Sequence, residues 1–384
     1  MKIVDVCAFY SPQGGGVRTY IEQKLRIGPQ LGHEIVVLVP GEEHAVIERG
    51  PGARIVTLPS PRFPLDRKYG YFADEAALHA ALDAERPDVV EVSSPWRSPL
   101  MVARWPGSAR RSLVMHADPL SAYAYRWFAP MLSRSHIDRG FERYWAHLRQ
   151  LGGAFDMTVC ANHDLAARMR EGGVAGVRVH PLGVETGVFS PERRDPALRG
   201  RLLALCGLDE SACLLVAAGR LAPEKRWPMV VDAAAAASLH RPVGLILLGE
   251  GREARAIRSA IGGNPHVRLF EPERDRAAFA AILASADAVV HGCEAETFCM
   301  VGAEARASGT AVIVPDSGGA ADHARDGAGL TYKAGNRFSL TNAIVKFCAQ
   351  PISASRLGDV VSNLQHFEGL FAEYRQVRRR SRAA

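Results

Sequence analysis

Short runs of β-branched and other apolar residues alternate with helical patterns along all 384 residues of the chain. This alternation predicts parallel sheets covered by helices, because a parallel strand must be reached by a crossover connection. The length suits two domains of ordinary size better than one core. The predicted strands are Ile3–Val6, Glu34–Val39, Arg54–Leu58, Val89–Val92, Ser112–Met115, Met157–Cys160 and Val177–His180 in the first half, and Leu214–Ala218, Val243–Leu248, Val267–Phe270, Ala288–Val290 and Ala311–Val314 in the second.

The stretch Gly187–Gly200, with two prolines and clustered charges, is the best candidate for a linker. We therefore expect two doubly wound α/β domains, an N-terminal one over residues 1–187 and a C-terminal one over residues 188–364. The segment His366–Tyr374 places its apolar residues on one stripe at helical spacing, which predicts a final helix.

Composition is typical of a soluble globular protein, with 47% hydrophobic and 23% charged residues. No apolar run approaches the length of a membrane span, and residues 1–5 run directly into a strand pattern without the features of a signal peptide. Seven cysteines lack any C-x-x-C pair, which favours buried thiols over disulfides or a zinc site. We expect a cytoplasmic protein.

The net charge of +6 is concentrated in two places. Beside exposed aromatic residues such charge would favour peripheral contact with an anionic membrane, although ordinary solvated surface charge is at least as common a reason for it. No nucleic-acid-binding motif accompanies the charge, so no nucleic-acid partner is expected. The basic residues are Arg62, Arg67, Lys68, Arg97, Arg104, Arg110 and Arg111 near Tyr69, Tyr71, Phe72 and Trp96, and a tail with Arg375, Arg378, Arg379, Arg380 and Arg382.

Two carboxylates stand eight positions apart at Glu296 and Glu304. On one helix they would point roughly 80° apart, because each residue advances the helix by about 100°. If Glu296 lies in the preceding loop and Glu304 inside the helix, both can reach one ligand at the helix N-terminus, where free N–H groups favour a phosphate. An isolated pair with this spacing is more often two solvated glutamates.

Further polar residues follow predicted strands, where open α/β sheets bind ligands. The glycines Gly14, Gly15 and Gly16 follow the first strand and offer backbone N–H groups to a phosphate. Arg220 and Lys225 follow Leu214–Ala218. An arginine and a lysine can hold a diphosphate leaving group without a metal, although two surface cations in a loop are common without this role. The sequence has no D-x-D pattern for a divalent ion.

These motifs, in this order, resemble the retaining glycosyltransferases of family 4. The resemblance implies the GT-B fold, an α/β fold in which two Rossmann-like doubly wound domains face a central cleft and the last helix, here about 365–384, packs back on the N-terminal domain. The segments that carry it are Tyr10–Tyr20, Leu31–Val37, Leu113–Asp118, Val179–Pro191, Gly219–Lys225, Leu248–Gly251 and Glu296–Glu304.

The resemblance further implies transfer of a hexose from GDP-mannose or a UDP-hexose to a saccharide or lipid-linked acceptor, with retention and without cofactor or metal. Glu304 would accept hydrogen bonds from the ribose and Glu296 from the transferred sugar, while Asp118 is a weaker candidate for acceptor contact. The implied catalytic residues are His116, Arg220, Lys225 and Glu296. The implied donor-binding residues are Gly15, Gly16, Arg220, Lys225, Glu296, Phe298, Cys299, Met300 and Glu304.

The chain departs from the family pattern at several positions. Thr297 and Cys299 stand where glycines are common after the first glutamate, Arg226 stands where a glycine commonly follows the lysine, and Leu182 replaces an asparagine. These changes bear on donor preference. Two alternatives are a nucleotide-sugar epimerase of the same fold and a catalytically silent nucleotide-sugar-binding partner.

Overall fold

The computed structural model describes residues 1–10, 15–64, 69–93, 95–128, 131–352 and 360–377. Gly14, Arg67, Lys68 and the four arginines from Arg378 onward, all singled out in the sequence, lie outside these residues. The chain forms two compact units. The first comprises residues 1–119, 127–182 and 363–384, and the second comprises residues 120–126 and 183–362.

The first unit is built on an eight-stranded sheet in the order β3-β4-β2-β1-β5-β6-β7-β8. All neighbouring strands are parallel except β3, which pairs antiparallel with β4. The strands are β1 Lys2–Cys7, β2 Glu34–Gly41, β3 Ala45–Gly50, β4 Ala53–Pro59, β5 Val89–Ser93, β6 Arg110–Met115, β7 Met157–Cys160 and β8 Val177–Val179. The helices are α1 Gly16–Gln30, α2 Glu75–Glu85, α3 Arg97–Arg104, α4 Arg126–Phe128, α5 Arg134–Gly140, α6 Glu142–Ala154 and α7 His163–Glu171. The first residue of α4, Arg126, is the last residue of the short segment that belongs to the second unit.

The second unit is built on a six-stranded parallel sheet in the order β11-β10-β9-β12-β13-β14. Numbered within the unit this is the order 3-2-1-4-5-6 of a doubly wound sheet, whose strand order reverses between β9 and β12. The strands are β9 Cys213–Ala218, β10 Val243–Leu248, β11 Val267–Phe270, β12 Ala288–Val290, β13 Ala311–Pro315 and β14 Gly329–Tyr332. The helices are α8 Pro196–Leu205, α9 Trp227–Ala237, α10 Ala254–Ile261, α11 Arg276–Ser285, α12 Met300–Ala307, α13 Gly319–Asp322 and α14 Arg337–Ala349.

Local sequence explains these elements. Strands β9 and β10 read as nearly continuous apolar runs because helices cover both faces of the sheet. Helix α9 ends in five alanines, the residue with the best helix propensity. Helix α11 begins where the Asp275 carboxylate accepts hydrogen bonds from the backbone N–H groups of Ala277 and Ala278. Among the described residues, no helix is both long and apolar enough to cross a bilayer.

The last helix, α15 Asn363–Gln376, belongs to the first unit. It packs against α1 and contributes Phe367, Leu370, Phe371 and Tyr374 to the same core as strands β1 and β2. The core of the first unit is therefore assembled from both ends of the chain.

Several strands extend one or two residues beyond their predicted bounds, and four differences are of other kinds. Strands β3 and β14 were not predicted, β8 ends at Val179 rather than His180, and α8 begins at Pro196 inside the predicted linker. Pro196 starts this helix because a proline at the first helical turn needs no N–H partner, and Asp195 caps it. The division between the two units falls after Leu182, a few residues before the predicted domain boundary.

Candidate functional site

Two loops leave the carboxyl edge of the second sheet where its strand order reverses. The chain runs outward from β9 to β10 on one side and from β12 to β13 on the other, so the loops after β9 and β12 diverge and leave a crevice. The loop after β9 leads into one 3-10 turn, Pro223–Lys225. The loop after β12 ends at Cys299, where α12 begins. Glu296 thus lies in the loop and Glu304 inside the helix, which is the arrangement in which both can reach one ligand at the helix N-terminus.

Lys225 and Glu296 form an ion pair between these loops. The Lys225 ammonium donates to the Glu296 carboxylate, and their side chains are only 14% and 20% exposed. Burial alone would raise the pKa of Glu296, but the nearby ammonium and His291 offset it, so that this pKa lies well below its usual range. For Lys225 burial alone would lower the pKa, but the Glu296 carboxylate raises it above its usual value. Both groups are charged at neutral pH.

His291, the first residue after β12, holds Glu296 from the other side. Its Nε2 atom lies 3.0 Å from the carboxylate oxygen that Lys225 contacts. Burial lowers the pKa of His291, so the ring is neutral at pH 7 and donates through Nε2–H. The Tyr332 hydroxyl donates to the His291 carbonyl at 2.8 Å and fixes the backbone. Sequence reasoning missed His291, although its place directly after a strand at this edge was a usable signal.

A second ion pair joins the same two loops. Arg226 donates from Nε to one Glu294 oxygen at 2.9 Å and from Nη2 to the other, which is the two-pronged geometry of a strong pair. Arg226 has a φ of 51°, in the left-handed region. This backbone conformation explains why a glycine is common at the position, and the fork to Glu294 offsets the strain of placing a side chain there.

Arg220 stands apart from these pairs. Its side chain is 73% exposed and contacts Glu224, four residues along the chain, at 3.1 Å. Its backbone is fixed, because the Trp227 indole donates to the Arg220 carbonyl at 2.8 Å. The guanidinium is therefore a cation on a fixed stem that remains available to a ligand.

The turn before α12 is held by hydrogen bonds from Gly319 and His323. Cys299 is buried and has a φ of 70°, which costs a residue with a side chain about 1–2 kcal/mol. The backbone N–H of Gly319 donates to the Glu296 carbonyl at 2.6 Å, and the His323 ring donates to the Phe298 carbonyl at 2.6 Å. The side chain of Phe298 is buried as well. The turn thus accommodates side chains at positions 297 and 299, and α12 begins directly after it at Met300.

Within the described residues, the ligating atoms of His291, Glu296 and Cys299 lie within 4.8 Å of one another. The donor set fits a metal poorly. The Lys225 ammonium already contacts the Glu296 oxygen, and burial raises the pKa of the Cys299 thiol far above its usual value, which disfavours the thiolate that binds metals. The cluster is better described as a hydrogen-bonded support for Glu296.

Glu304 lies in a different environment from Glu296. Its side chain is only 6% exposed, and it accepts a hydrogen bond from Arg276 at 2.9 Å. Arg276 also lies 3.8 Å from Glu185 and stacks on the Phe189 ring at 4.7 Å. Burial raises the pKa of Glu304 to about 7, although Arg276 opposes the shift. Sequence reasoning did not identify Arg276 as the partner of Glu304.

We expect the stability of the protein to depend on pH through Glu304. A carboxyl group whose pKa is about 7 in the folded state and about 4.5 when unfolded binds its proton more tightly in the folded state. The free energy of unfolding of the wild type should therefore fall, relative to Glu304→Gln, by about 3 kcal/mol as the pH rises from 4.5 to 8. Melting midpoints of both proteins across this range measure the effect, which amounts to several degrees.

Glu250→Gln is the matched control, because Glu250 belongs to the same unit but is 60% exposed. Parallel pH profiles for the wild type and Glu304→Gln would contradict the assignment of a protonated Glu304.

The sequence-predicted residues of the first unit lie at the edge of its own sheet. Gly15 caps α1, Gly16 begins it, and both are exposed with open space where a side chain would stand. His116 follows β6 and packs edge-on against Tyr20 at 4.7 Å. Burial and the nearby Lys24 ammonium lower the pKa of His116, so that it is neutral at pH 7.

Asp118 forms an ion pair inside the first unit. It is buried and paired with Arg168 of α7, whose side chain is buried too, so it joins α7 to the loop after β6. An isolated buried carboxylate is costly, and this ion pair offsets the cost. The sequence-based assignment of Asp118 to acceptor contact stays a prediction.

Both halves of the chain match known sequence families. Residues 14–188 match the model described as Glycosyltransferase Family 4, and residues 207–361 match the model described as Glycosyl transferases group 1. A GDP-mannose-dependent alpha-mannosyltransferase of Mycobacterium tuberculosis is 29% identical over 84% of this chain and 81% of its own length. A GDP-mannose-dependent alpha-(1-6)-phosphatidylinositol dimannoside mannosyltransferase of the same species is 30% identical over 82% of this chain and 79% of its own length.

Solved structures agree with the architecture. Sucrose-phosphate synthase from Thermosynechococcus elongatus superposes with a TM-score of 0.76 at 19% identity and covers 98% of both chains. A trehalose-6-phosphate protein from E. coli bound with UDP-2-fluoro glucose superposes with a TM-score of 0.71 at 13% identity, covering 99% of this chain and all of the other. At these identities the likeness establishes the fold alone.

Proposed function

The chain belongs to the family 4 glycosyltransferases of the GT-B fold, and from this membership we propose that it transfers a mannosyl group from GDP-mannose to a hydroxyl group of a lipid-linked or saccharide acceptor, with retention at the anomeric carbon. The observation that carries the proposal is the Lys225–Glu296 ion pair at the reversal point of the second sheet. The choice of mannose and guanine follows the relatives named above.

In the proposed reaction Lys225 and Arg220 bind the diphosphate of the donor. The bond between the anomeric carbon and the phosphate oxygen breaks, and its electron pair leaves with GDP. Fixed cations stabilise this developing charge more than they stabilise the intact donor, which is what lowers the barrier. A lysine and an arginine provide the charge that a divalent ion would otherwise provide, so we propose a metal-independent reaction.

Glu296 and Glu304 bind donor hydroxyl groups in this scheme. Glu296 accepts from the mannosyl hydroxyls, and ligand binding shifts the Lys225 ammonium from Glu296 toward phosphate. Glu304 accepts from the ribose, and its high pKa means that donor binding favours loss of its proton. The acceptor hydroxyl attacks the face that the leaving group vacates and passes its proton to the departing phosphate oxygen, so no side chain is required as a general base.

For the acceptor, only the chemical class is proposed. A relative named above acts on phosphatidylinositol dimannoside, a membrane lipid, and we propose a lipid-linked acceptor for this chain with peripheral contact to an anionic membrane surface. In the first unit, His116 follows the end of β6 and is neutral at pH 7. We propose that it contacts the transferred sugar.

Thermal unfolding against GDP, UDP, ADP and their sugars, each with and without EDTA, tests the donor. A ligand that binds only the folded protein adds about 2.7 kcal/mol of stability at a hundred times its dissociation constant. We expect GDP and GDP-mannose to raise the melting midpoint regardless of EDTA, and Arg220→Ala to lose most of the shift. Arg258→Ala, an exposed arginine of α10 in the same unit, is the control.

Three results would overturn parts of this proposal. A shift with UDP and none with GDP would replace the donor, and a shift abolished by EDTA would refute metal independence. Binding of GDP-mannose with release of a changed free sugar and no transfer would favour an epimerase. Retention itself is measured on the product, where the coupling constants of the anomeric carbon and proton report the configuration of the new bond.

A further inference from the structure

Large apolar side chains are unusually exposed in one segment of the first unit. Five of the sixteen that are exposed among the described residues lie within residues 127–141. We call Trp127, Phe128, Met131 and Leu132 the apolar turn. The backbone N–H groups of Met131 and Leu132 both donate to the Phe128 carbonyl, at 2.9 and 2.8 Å, so the turn keeps its residues together. Met131 is 75% exposed.

Positive charge follows the apolar turn directly. Arg134, Arg139 and Arg143 are exposed along α5 and the start of α6. The two acidic residues of this stretch are engaged elsewhere, since Asp138 accepts from the Trp145 indole at 3.2 Å and Glu142 pairs with Arg149. In the described part of the chain, Arg139 and Arg143 have no ion-pair partner.

The surface predicted from sequence for membrane contact has a different character. Phe72 is buried, and Arg111 is buried with its guanidinium donating to the carbonyls of Ala103 and Trp105. Arg104 is held by both oxygens of Glu75. These contacts use part of that surface to hold the loops of the unit. Trp96 of the same surface is 46% exposed, and Arg67 and Lys68 lie outside the described residues.

We propose that the apolar turn and the arginines that follow it form the docking surface of this protein for an anionic lipid bilayer. A tryptophan, a phenylalanine and long aliphatic side chains partition into the headgroup boundary, and exposed arginines are attracted to anionic lipid. Exposure of a group of large apolar side chains to water is unfavourable, and such groups commonly mark interaction surfaces. The inference rests on the proposed function only in that a lipid-linked acceptor requires the enzyme to reach a membrane.

Co-sedimentation of the full chain with phosphatidylcholine vesicles, with and without phosphatidylglycerol, tests the surface. We expect binding only to the anionic vesicles. Met131→Ser with Leu132→Ser should weaken it at least about tenfold, and Arg139→Gln with Arg143→Gln should weaken it roughly 30-fold at low salt. Leu239→Ser and Phe338→Ser are controls, because both side chains are exposed on the second unit, 86% and 69% respectively.

The same proteins separate this inference from the proposed function. Both double variants should keep the thermal shift with GDP-mannose and transfer to a detergent-soluble acceptor, because none of the four substituted residues belongs to the donor site. Unchanged vesicle binding in both double variants would overturn the docking surface. So would light scattering that showed a dimer in the wild type and a monomer in Met131→Ser with Leu132→Ser, because a second copy of the chain would then cover the turn.

Discussion

Lys225→Ala is expected to lower kcat/KM for sugar transfer by roughly 10²- to 10³-fold, the cost of losing one fixed charge donor at a site of developing negative charge. The loss should fall mainly on kcat, because the leaving diphosphate carries more charge in the transition state than in the bound donor. Steady-state kinetics with GDP-mannose measure the split.

The variant also leaves Glu296 largely buried without its counter-charge. This is expected to destabilise the second unit by about 3 kcal/mol, so activity must be compared below the lowered melting midpoint. Lys225→Ala combined with Glu296→Gln removes the unpaired charge and should regain much of the stability while remaining inactive. Lys346→Ala, an exposed lysine of α14, is the control. A kcat within tenfold of the wild type would remove Lys225 from the proposed mechanism.

Gly318→Ala is expected to disrupt the loop that carries Glu296. Gly318 has a φ of 72°, and a side-chain carbon built on it would lie 2.1 Å from the Glu294 carbonyl oxygen. Because backbone cannot yield as a flexible side chain can, we expect a loss of about 3 kcal/mol or more, which corresponds to a fall of about 6–12 °C in the melting midpoint. Donor affinity should fall with it, since both ion pairs depend on the same loop.

The matched control is Gly207→Ala. Gly207 follows α8 with a similar φ of 65°, but the space around it is open. It isolates the cost of the backbone conformation, about 1 kcal/mol. If the two variants melt at the same temperature, the contact between Gly318 and the Glu296 loop carries no energetic weight.

Much of the architecture could be predicted because buried parallel strands have a strong signal. Val243–Leu248 reads as an uninterrupted apolar run and is found with the predicted bounds. Strand β3 was missed because it is an exposed edge strand, in which only two large apolar residues, Val46 and Ile47, precede the charged Glu48 and Arg49. Strand β14 is only four residues long and half-exposed, so neither periodicity nor a continuous apolar run marks it.

In the site, too, some residues could be selected from the sequence and some contacts could not. Lys225 was selected from its position after a strand and Glu296 from its spacing to Glu304, and the order of the motifs supported both. The topology brings the carboxyl ends of β9 and β12 together, which places the two residues in contact. Position after a strand was not enough to find the bond between Arg276 and Glu304, since α11 and α12 are brought together by packing that leaves no local pattern. Nor could it reveal the pairing of Asp118 with Arg168, because the two residues lie fifty positions apart in the chain.

The core of the first unit has a consequence for synthesis of the chain on the ribosome. Phe367, Leu370, Phe371 and Tyr374 complete this core, yet they are translated after the entire second unit. A nascent chain therefore carries an open apolar groove over α1 throughout elongation of the second unit, while α15 is still inside the exit tunnel or not yet made. Chaperone occupancy of arrested nascent chains should persist until residue 377 has left the exit tunnel, because only then can α15 pack against α1 and close the core of the first unit.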